Sequence, residues 1–130
     1  MYRWVDHTSE VELEIEAAGE REVLEEALRA LAELLGVDRT RGDETRWVAV
    51  EASDRPALLA AWIEELVFLA ETEGFVATRI ESIDVSERSV RATVAGVLGE
   101  PPPLVKAVTY HRLAFEPAGD GYLARVVLDV

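Results

Sequence analysis

The sequence predicts an α+β fold, an α/β sandwich in which a mixed, mostly antiparallel sheet packs against two amphipathic helices. Three observations support this class. A stretch near the N-terminus alternates apolar and acidic residues, two longer stretches carry apolar residues at helical spacing, and four apolar stretches of strand length follow. With 130 residues and 49% apolar composition, the chain has the size of one ordinary domain, predicted to span residues 1–130.

The alternating stretch and the first helical stretch are adjacent. In residues 11–17, Val, Leu, Ile and Ala alternate with Glu, which is typical of a strand with one buried and one solvated face. In residues 20–35, apolar residues recur every three or four positions, and Gly36 stands where the helix should end. The chain therefore changes from strand to helix within a few residues.

A loop, a short strand and the second helix come next. Residues 37–45 are polar and predict a loop, and residues 46–51 predict a short strand. The second helix is predicted over residues 56–73, with Asp54 among the residues that can cap its start and Gly74 at its end. Its apolar stripe is unusually wide, which predicts a central place in the core.

The remainder of the chain predicts a meander of strands. The strands are residues 75–85, 89–98, 107–115 and 122–130. The Gly- and Pro-rich residues 99–103 interrupt regular pairing between the second and third of these strands. Residues 117–121, which contain two glycines and an Asp, suit the reversing loop of a terminal hairpin.

The charge balance narrows the class of partner. The chain has 13 basic and 26 acidic residues, a formal net charge of −13. Phosphate binding needs clustered Lys and Arg, so the composition favours an acidic protein-binding protein over one that holds nucleic acid by itself. The absence of cysteine excludes disulfides and thiolate chemistry. The sequence contains no signal peptide and no membrane-length apolar run, which predicts a cytoplasmic location without membrane association.

The two ends of the chain carry a concentration of acidic groups. Residues 6–10 read DHTSE just ahead of the first strand, and the last strand ends on Asp129 and the carboxylate of Val130. We predict that the two ends meet. Asp6, Glu10, Asp129 and Val130 would then form an oxygen-only cluster suited to Ca²⁺, Mg²⁺ or Mn²⁺, because packed carboxylates repel one another unless compensated. The alternative is a solvated acidic face.

Three basic side chains are secondary candidates. His7 and His111 could act as ligands or bases, although no metal-binding spacing joins them, and each could equally be a structural histidine at a strand end. Lys106 is the only lysine and stands between the Pro-rich segment and a strand. It could meet a phosphate or an acidic partner, or it could be a solubilising lysine on an edge strand.

Four short blocks, spread from one end of the chain to the other, carry a family resemblance. In chain order they are residues 6–11 (DHTSEV), 54–66 (DRPALLAAWIEEL), 105–111 (VKAVTYH) and 124–130 (ARVVLDV). The blocks resemble the Asp-His-Thr-Ala-Asp opening, the second helix, the Val-Lys-Ala-Val/Ile-Thr-Tyr segment and the terminal apolar run of the archease family. Because they occur in the family's order over the whole chain, the combination is specific.

This resemblance implies a non-enzymatic protein cofactor that activates an RtcB-type, GTP-dependent RNA ligase in tRNA splicing and RNA repair. Such a cofactor promotes transfer of GMP onto the ligase's own histidine, supports multiple turnover, and meets RNA only through the ligase. The resemblance also implies a divalent-metal site at Glu10, Asp129 and Val130, and a role for Lys106 in activation. Ser9 and Glu10 stand where the family has Ala and Asp, and the longer Glu side chain moves its carboxylate by about a bond length, which bears on metal affinity and preference.

Two other functions remain open from the residues alone. One is a general chaperone or adaptor that presents the apolar helix 56–73, partly exposed, to its clients. The other is a small metal-dependent phosphoesterase built on the same carboxylates. The chain contains no Gly-rich phosphate loop, GxSxG motif or Cys/His pair, so motifs do not indicate an enzyme. An acidic surface fits the ligase interpretation because it can steer toward a basic, RNA-binding enzyme.

Overall fold

The computed structural model describes residues 1–37 and 42–130, which contain seven strands and two helices. The strands are β1 (Tyr2–His7), β2 (Glu10–Ala17), β3 (Glu44–Glu51), β4 (Phe75–Val85), β5 (Ser89–Leu98), β6 (Ala107–Ala118) and β7 (Gly121–Asp129), and the helices are α1 (Glu20–Leu34) and α2 (Arg55–Glu73). The loop predicted for residues 37–45 lies partly outside the described residues. No helix in the described part of the chain is long and apolar enough to cross a membrane.

The strands form two sheets, and every pair of neighbouring strands is antiparallel. Sheet A has the strand order β1-β2-β7-β6, and sheet B has the order β3-β5-β4. Each helix contacts strands of both sheets, whereas no Cα atom in a strand of sheet A lies within 8 Å of one in a strand of sheet B, within the described ranges. The predicted α+β class with two packing helices is confirmed, and its strands are divided between two sheets.

The second helix is buried on most of its circumference because it contacts both sheets. Trp62 is fully buried, and its indole Nε1 donates a hydrogen bond to the carbonyl of Leu24 at 3.1 Å, which satisfies its one polar atom. The helix starts after Asp54, whose carboxylate accepts from the N–H of Ala57 at 2.9 Å. It stops at Gly74, which has a left-handed φ of 68°. The predicted start and end are therefore both confirmed.

Strand β1 is an addition to the predicted elements. Trp4 pairs with Leu13 of β2, and Tyr2 and Trp4 pack against the core. Only two aromatic residues, Tyr2 and Trp4, show the alternating pattern of a strand here, and the polar residues 6–10 follow closely. The aromatic side chains on one face, rather than a long periodic pattern, hold β1 against α1.

The terminal hairpin is tighter than the sequence indicates. Pro117 pairs with Tyr122 and Ala118 pairs with Gly121, which leaves Gly119 and Asp120 as the connection. Gly119 has a φ of 60°, a conformation that suits glycine in a two-residue hairpin. A proline is tolerated in β6 because this strand pairs only with β7 and its other edge is free of strand partners.

A large bulge interrupts β6. Thr109 pairs with Val127 and Ala114 pairs with Arg125, so residues 110–113 stand opposite a single residue of β7. We call residues 110–113 the β6 bulge. Within it, Arg112 has a φ of 58°, an unusual value for a residue with a side chain. Arg125 Nε donates to the carbonyl oxygen of Arg112 at 2.9 Å and holds this conformation.

The β6 bulge supplies the partner of a buried carboxylate. Glu12 is only 2% exposed although it lies on the face of sheet A that is turned away from the core. Arg112 reaches across β7, and its Nη1 lies 2.9 Å from Glu12 Oε1. His7 Nε2 lies 3.9 Å from the same oxygen. A buried carboxylate is costly without such compensation, so the bulge and Glu12 stabilise each other.

We predict that Arg112→Met lowers the free energy of unfolding by about 1–3 kcal/mol, because it leaves Glu12 buried without its closest cation. The Glu12→Gln/Arg112→Met double variant should recover part of this loss, since no buried charge remains. Urea denaturation of both variants measures the effect. Arg91→Met is the matched control, because Arg91 is exposed on β5 and has no ion pair among the described residues. An Arg112→Met variant as stable as this control would contradict the pairing.

Candidate functional site

The pairing of β7 with both β2 and β6 brings the two ends of the chain together. Asp129 stands opposite Glu10 of β2 on one side and opposite Ala107 of β6 on the other. The N–H of Lys106 donates to the carbonyl of Asp129 at 2.7 Å, and the N–H of Val130 donates to the carbonyl of Ser9 at 3.0 Å. We call Ser9, Glu10, Lys106, Asp129 and Val130 the terminal corner. The prediction that the ends meet is confirmed.

The turn between β1 and β2 shapes one side of the terminal corner. His7 pairs with Glu10, so Thr8 and Ser9 make the whole connection. Ser9 has a φ of 62°, which is uncommon for a residue other than glycine. The carbonyl oxygen of Ser9 accepts the hydrogen bond from Val130. A tight turn in a strained conformation therefore anchors the end of the chain next to Glu10.

The terminal corner places two carboxylates side by side. Glu10 and Asp129 are direct cross-strand partners, so their side chains lie on the same face, with Cβ atoms about 4.5–5.5 Å apart in such pairs. This is the face turned away from the core, because the alternate residues Val11, Leu13 and Leu128 belong to the hydrophobic cluster. Both acidic residues are half-buried. Like charges in this arrangement repel unless a cation compensates them.

The neighbouring carboxylates on the same face of β2 do have cationic partners. Arg3 donates from Nε to Glu14 Oε2 at 2.9 Å, and this hydrogen bond lowers the pKa of the Glu14 carboxyl. Glu12 is compensated by Arg112. By contrast, neither Glu10 nor Asp129 forms an ion pair with any residue in the described ranges. The uncompensated negative charge on this part of the face is therefore concentrated at the terminal corner.

The other candidate residues lie around the terminal corner in different ways. Asp6 is exposed and pairs with Val11, so it belongs to the alternate face of sheet A rather than to the face of Glu10. His7 lies on the face of Glu10, and its ring approaches Glu12. His111 is exposed within the β6 bulge. The structure thus brings Glu10 and Asp129 together and places Asp6 and His111 apart from that pair.

Lys106 is exposed at the start of β6 and forms no ion pair within the described part of the chain. Its backbone is fixed by the hydrogen bond to Asp129. Its exposed ammonium group, without an internal ion-pair partner, remains available to an acidic group or a phosphate of another molecule.

The donor set of the terminal corner fits a hard cation only in part. Oxygen atoms are the sole donors, as Ca²⁺, Mg²⁺ and Mn²⁺ prefer. No group of three or more His, Cys, Asp or Glu side chains within residues 1–37 and 42–130 is arranged to hold a metal. A metal bound here would therefore take two side-chain carboxylates, Glu10 and Asp129, and complete its coordination with main-chain oxygen of Val130 or with atoms from outside the chain.

Glu12 and Arg112 are the residues at this face that sequence reasoning missed. The two positions are 100 residues apart, and nothing local marks them. Glu12 reads as one of several solvent-facing glutamates in an alternating strand, and its burial depends on a bulge that only the pairing of β6 with β7 reveals. The contact between Glu12 and Arg112 could be predicted only by first knowing the strand order of sheet A.

Comparisons with known proteins agree on one family. A family model described as the archease protein family (MTH1598/TM1083) matches residues 2–130. "Protein archease" of Thermococcus gammatolerans is 34% identical over 146 residues, covering 100% of both chains. "Protein archease" of Archaeoglobus fulgidus is 31% identical over 145 residues, covering 99% of this chain and 98% of the relative.

Solved structures with the same fold include two proteins of this type. The solution structure of Methanobacterium thermoautotrophicum protein 1598 superposes with a TM-score of 0.79 at 27% identity, covering 99% of this chain and 98% of that one. The crystal structure of a Thermotoga maritima archease, described as a possible chaperone, gives a TM-score of 0.70 at 23% identity, with 100% and 98% coverage. From the family match over residues 2–130 and the full-length relatives, the chain belongs to the archease family.

Proposed function

We propose that this protein is a non-enzymatic activator of an RtcB-type, GTP-dependent RNA ligase, which it assists in tRNA splicing and RNA repair by promoting transfer of GMP onto the ligase and multiple turnover. Membership of the archease family supports this proposal. The observation that carries it in the structure is the terminal corner, where Glu10 and Asp129 lie uncompensated and the backbone N–H of Lys106 is bonded to Asp129. Neither the carboxylates of Glu10 and Asp129 nor the ammonium group of Lys106 forms an ion pair among the described residues, so these charges are available to the ligase.

The overall charge supports docking to a protein that binds RNA. A net charge of −13 is poorly suited to holding RNA directly. The same charge attracts a basic enzyme surface and raises the rate of encounter with it. RNA would then be reached only through the ligase.

A divalent cation fits the mechanism of this activator. Glu10 and Asp129 would hold the ion together with main-chain oxygen of Val130, whose position is set by its hydrogen bond to Ser9. When bound, such an ion stabilises the charge that develops on phosphate during nucleotidyl transfer. The protein's part is to keep the two carboxylates in register on paired strands and to fix the backbone of Lys106 against Asp129.

The burial of α2 gives less support to the alternative function, a general chaperone that would present a broad apolar helix to its clients. Most of its apolar side chains are buried, including Leu58, Leu59, Trp62 and Leu66, and Phe68 is its one large exposed hydrophobic residue. The expected client-binding surface is therefore narrow. A surface of this kind suits a defined partner better than many unrelated ones.

Ligation assays test the proposed function. We predict that the protein stimulates multiple-turnover RNA joining by a cognate RtcB-type ligase supplied with GTP and Mn²⁺. Lys106→Ala and Asp129→Asn should lose most of the stimulation, because they remove the charges of the terminal corner without touching the core. Glu16→Gln, at the far end of the same strand as Glu10, should stimulate normally. A folded wild-type protein that leaves the ligase unchanged would refute the proposal.

Metal binding can be measured on the protein alone. We predict that Glu10→Gln and Asp129→Asn each weaken Ca²⁺ or Mn²⁺ binding by about tenfold or more in calorimetric titrations, because each removes one charged ligand. In EDTA, Glu10→Gln should instead raise the free energy of unfolding by roughly 0.2–1 kcal/mol, because it relieves a like-charge pair. The control Glu16→Gln should change neither quantity. Equal metal affinity in wild type and both variants would rule out the site.

A further inference from the structure

A groove lies between α2 and the chain that leads into β6. It has a volume of about 370 Å³ and is lined by Glu64, Val67, Phe68 and Glu71 of the helix and by residues 105–108. We call it the α2–β6 groove. A much smaller hollow of about 10 Å³ adjoins it between α2 and the Pro-rich segment, and Val67, Glu71 and Val105 line both. The prolines therefore line only the adjoining hollow, whereas Lys106 of the terminal corner lines the groove itself.

Two apolar side chains stay exposed along this groove. Phe68 is 55% exposed and Leu104 is 41% exposed. Single exposed apolar residues are ordinary on a protein surface. Here Phe68 lines the groove and Leu104 lines the adjoining hollow, and α2 is otherwise buried between the sheets. Together they provide an apolar contact that this chain leaves uncovered.

The helix wall of the groove is acidic on both sides of Phe68. Glu64 and Glu71 are exposed and have no ion pair within residues 1–37 and 42–130. They are seven residues apart, about 10 Å along the helix axis, and Phe68 lies between them on the same side. The helix thus presents the order acidic, aromatic, acidic to a molecule lying along the groove.

We propose that the α2–β6 groove docks a segment of the partner ligase that carries an apolar side chain between basic residues. This inference rests on the proposed function and names the surface that would hold the partner. Phe68 and Leu104 would cover the apolar side chain, and Glu64 and Glu71 would pair with the basic ones. A second copy of this chain fits poorly, because both copies would bring acidic walls and a net charge of −13 to the contact.

Docking in this groove would also orient the partner. The groove is lined by Lys106, whose N–H donates a hydrogen bond to the carbonyl of Asp129 in the terminal corner. A segment held along α2 would therefore lie beside Lys106, whereas Glu10 and Asp129, on the opposite face of sheet A, would be reached by a different part of the ligase. The two surfaces have separable roles, since the groove contributes affinity and the terminal corner contributes activation.

The test compares exposed groove residues with equally exposed residues elsewhere. Phe68→Ser and Leu104→Ser should each weaken binding to the cognate ligase by about tenfold, measured as Kd by calorimetry. Their matched controls are Trp47→Ser and Leu98→Ser, because these side chains are 64% and 53% exposed outside the groove and should bind as wild type does. At saturating concentration the groove variants should reach full stimulation of ligation, whereas Asp129→Asn, which changes the terminal corner but no residue that lines the groove, should not.

Salt dependence provides a second readout. Glu64→Gln and Glu71→Gln should make binding less sensitive to added salt, whereas Phe68→Ser should weaken binding without changing that sensitivity. Groove variants that bind as tightly as their controls, beside a wild type that stimulates the ligase, would overturn the docking inference alone. A wild type that neither binds nor stimulates any cognate ligase would overturn the proposed function. Self-association lost in Phe68→Ser would assign the groove to a second copy and overturn the inference.

Discussion

The central position of β7 in sheet A is the constraint on which the site depends. This last strand pairs with β2 and β6 at once, and its alternate residues Ala124, Val126 and Leu128 are buried in the core. A slip of one residue would expose those side chains and turn Asp129 to the other face. The hydrophobic effect therefore holds Asp129 opposite Glu10. The register of the site and the packing of the core are set by the same strand.

On the face of sheet A turned away from the core, some carboxylates are paired with arginines of the same chain and others are not. Glu12 and Glu14 are neutralised by arginines that come from the β6 bulge and from β1. Glu10 and Asp129 repel each other, and that repulsion costs stability in the isolated chain. A protein retains such a pair where another molecule compensates it, which is the expected signature of a functional site.

Local patterns predicted the parts of this structure that local physics controls. The bounds of β4 and β5 and the end of α2 at Gly74 follow from periodicity and capping, which act over a few residues. The division into two sheets, the short strand β1 and the pairing of Glu12 with Arg112 depend on contacts between distant segments. The two ends of the chain meet, as predicted, and Glu10 and Asp129 lie on one face of sheet A. Asp6 lies on the opposite face, because the two-residue turn at Thr8 and Ser9 sets the register that pairs Asp6 with Val11.

The most direct test of the account is the rate of GMP transfer from GTP to a cognate ligase in the absence of RNA. We predict that the wild-type protein and Glu16→Gln accelerate this transfer, and that Asp129→Asn does not, although it is folded and binds the ligase through the α2–β6 groove. GMP transfer that is unchanged by the wild-type protein, or accelerated equally by Asp129→Asn, would contradict the assignment of the terminal corner as the activating surface.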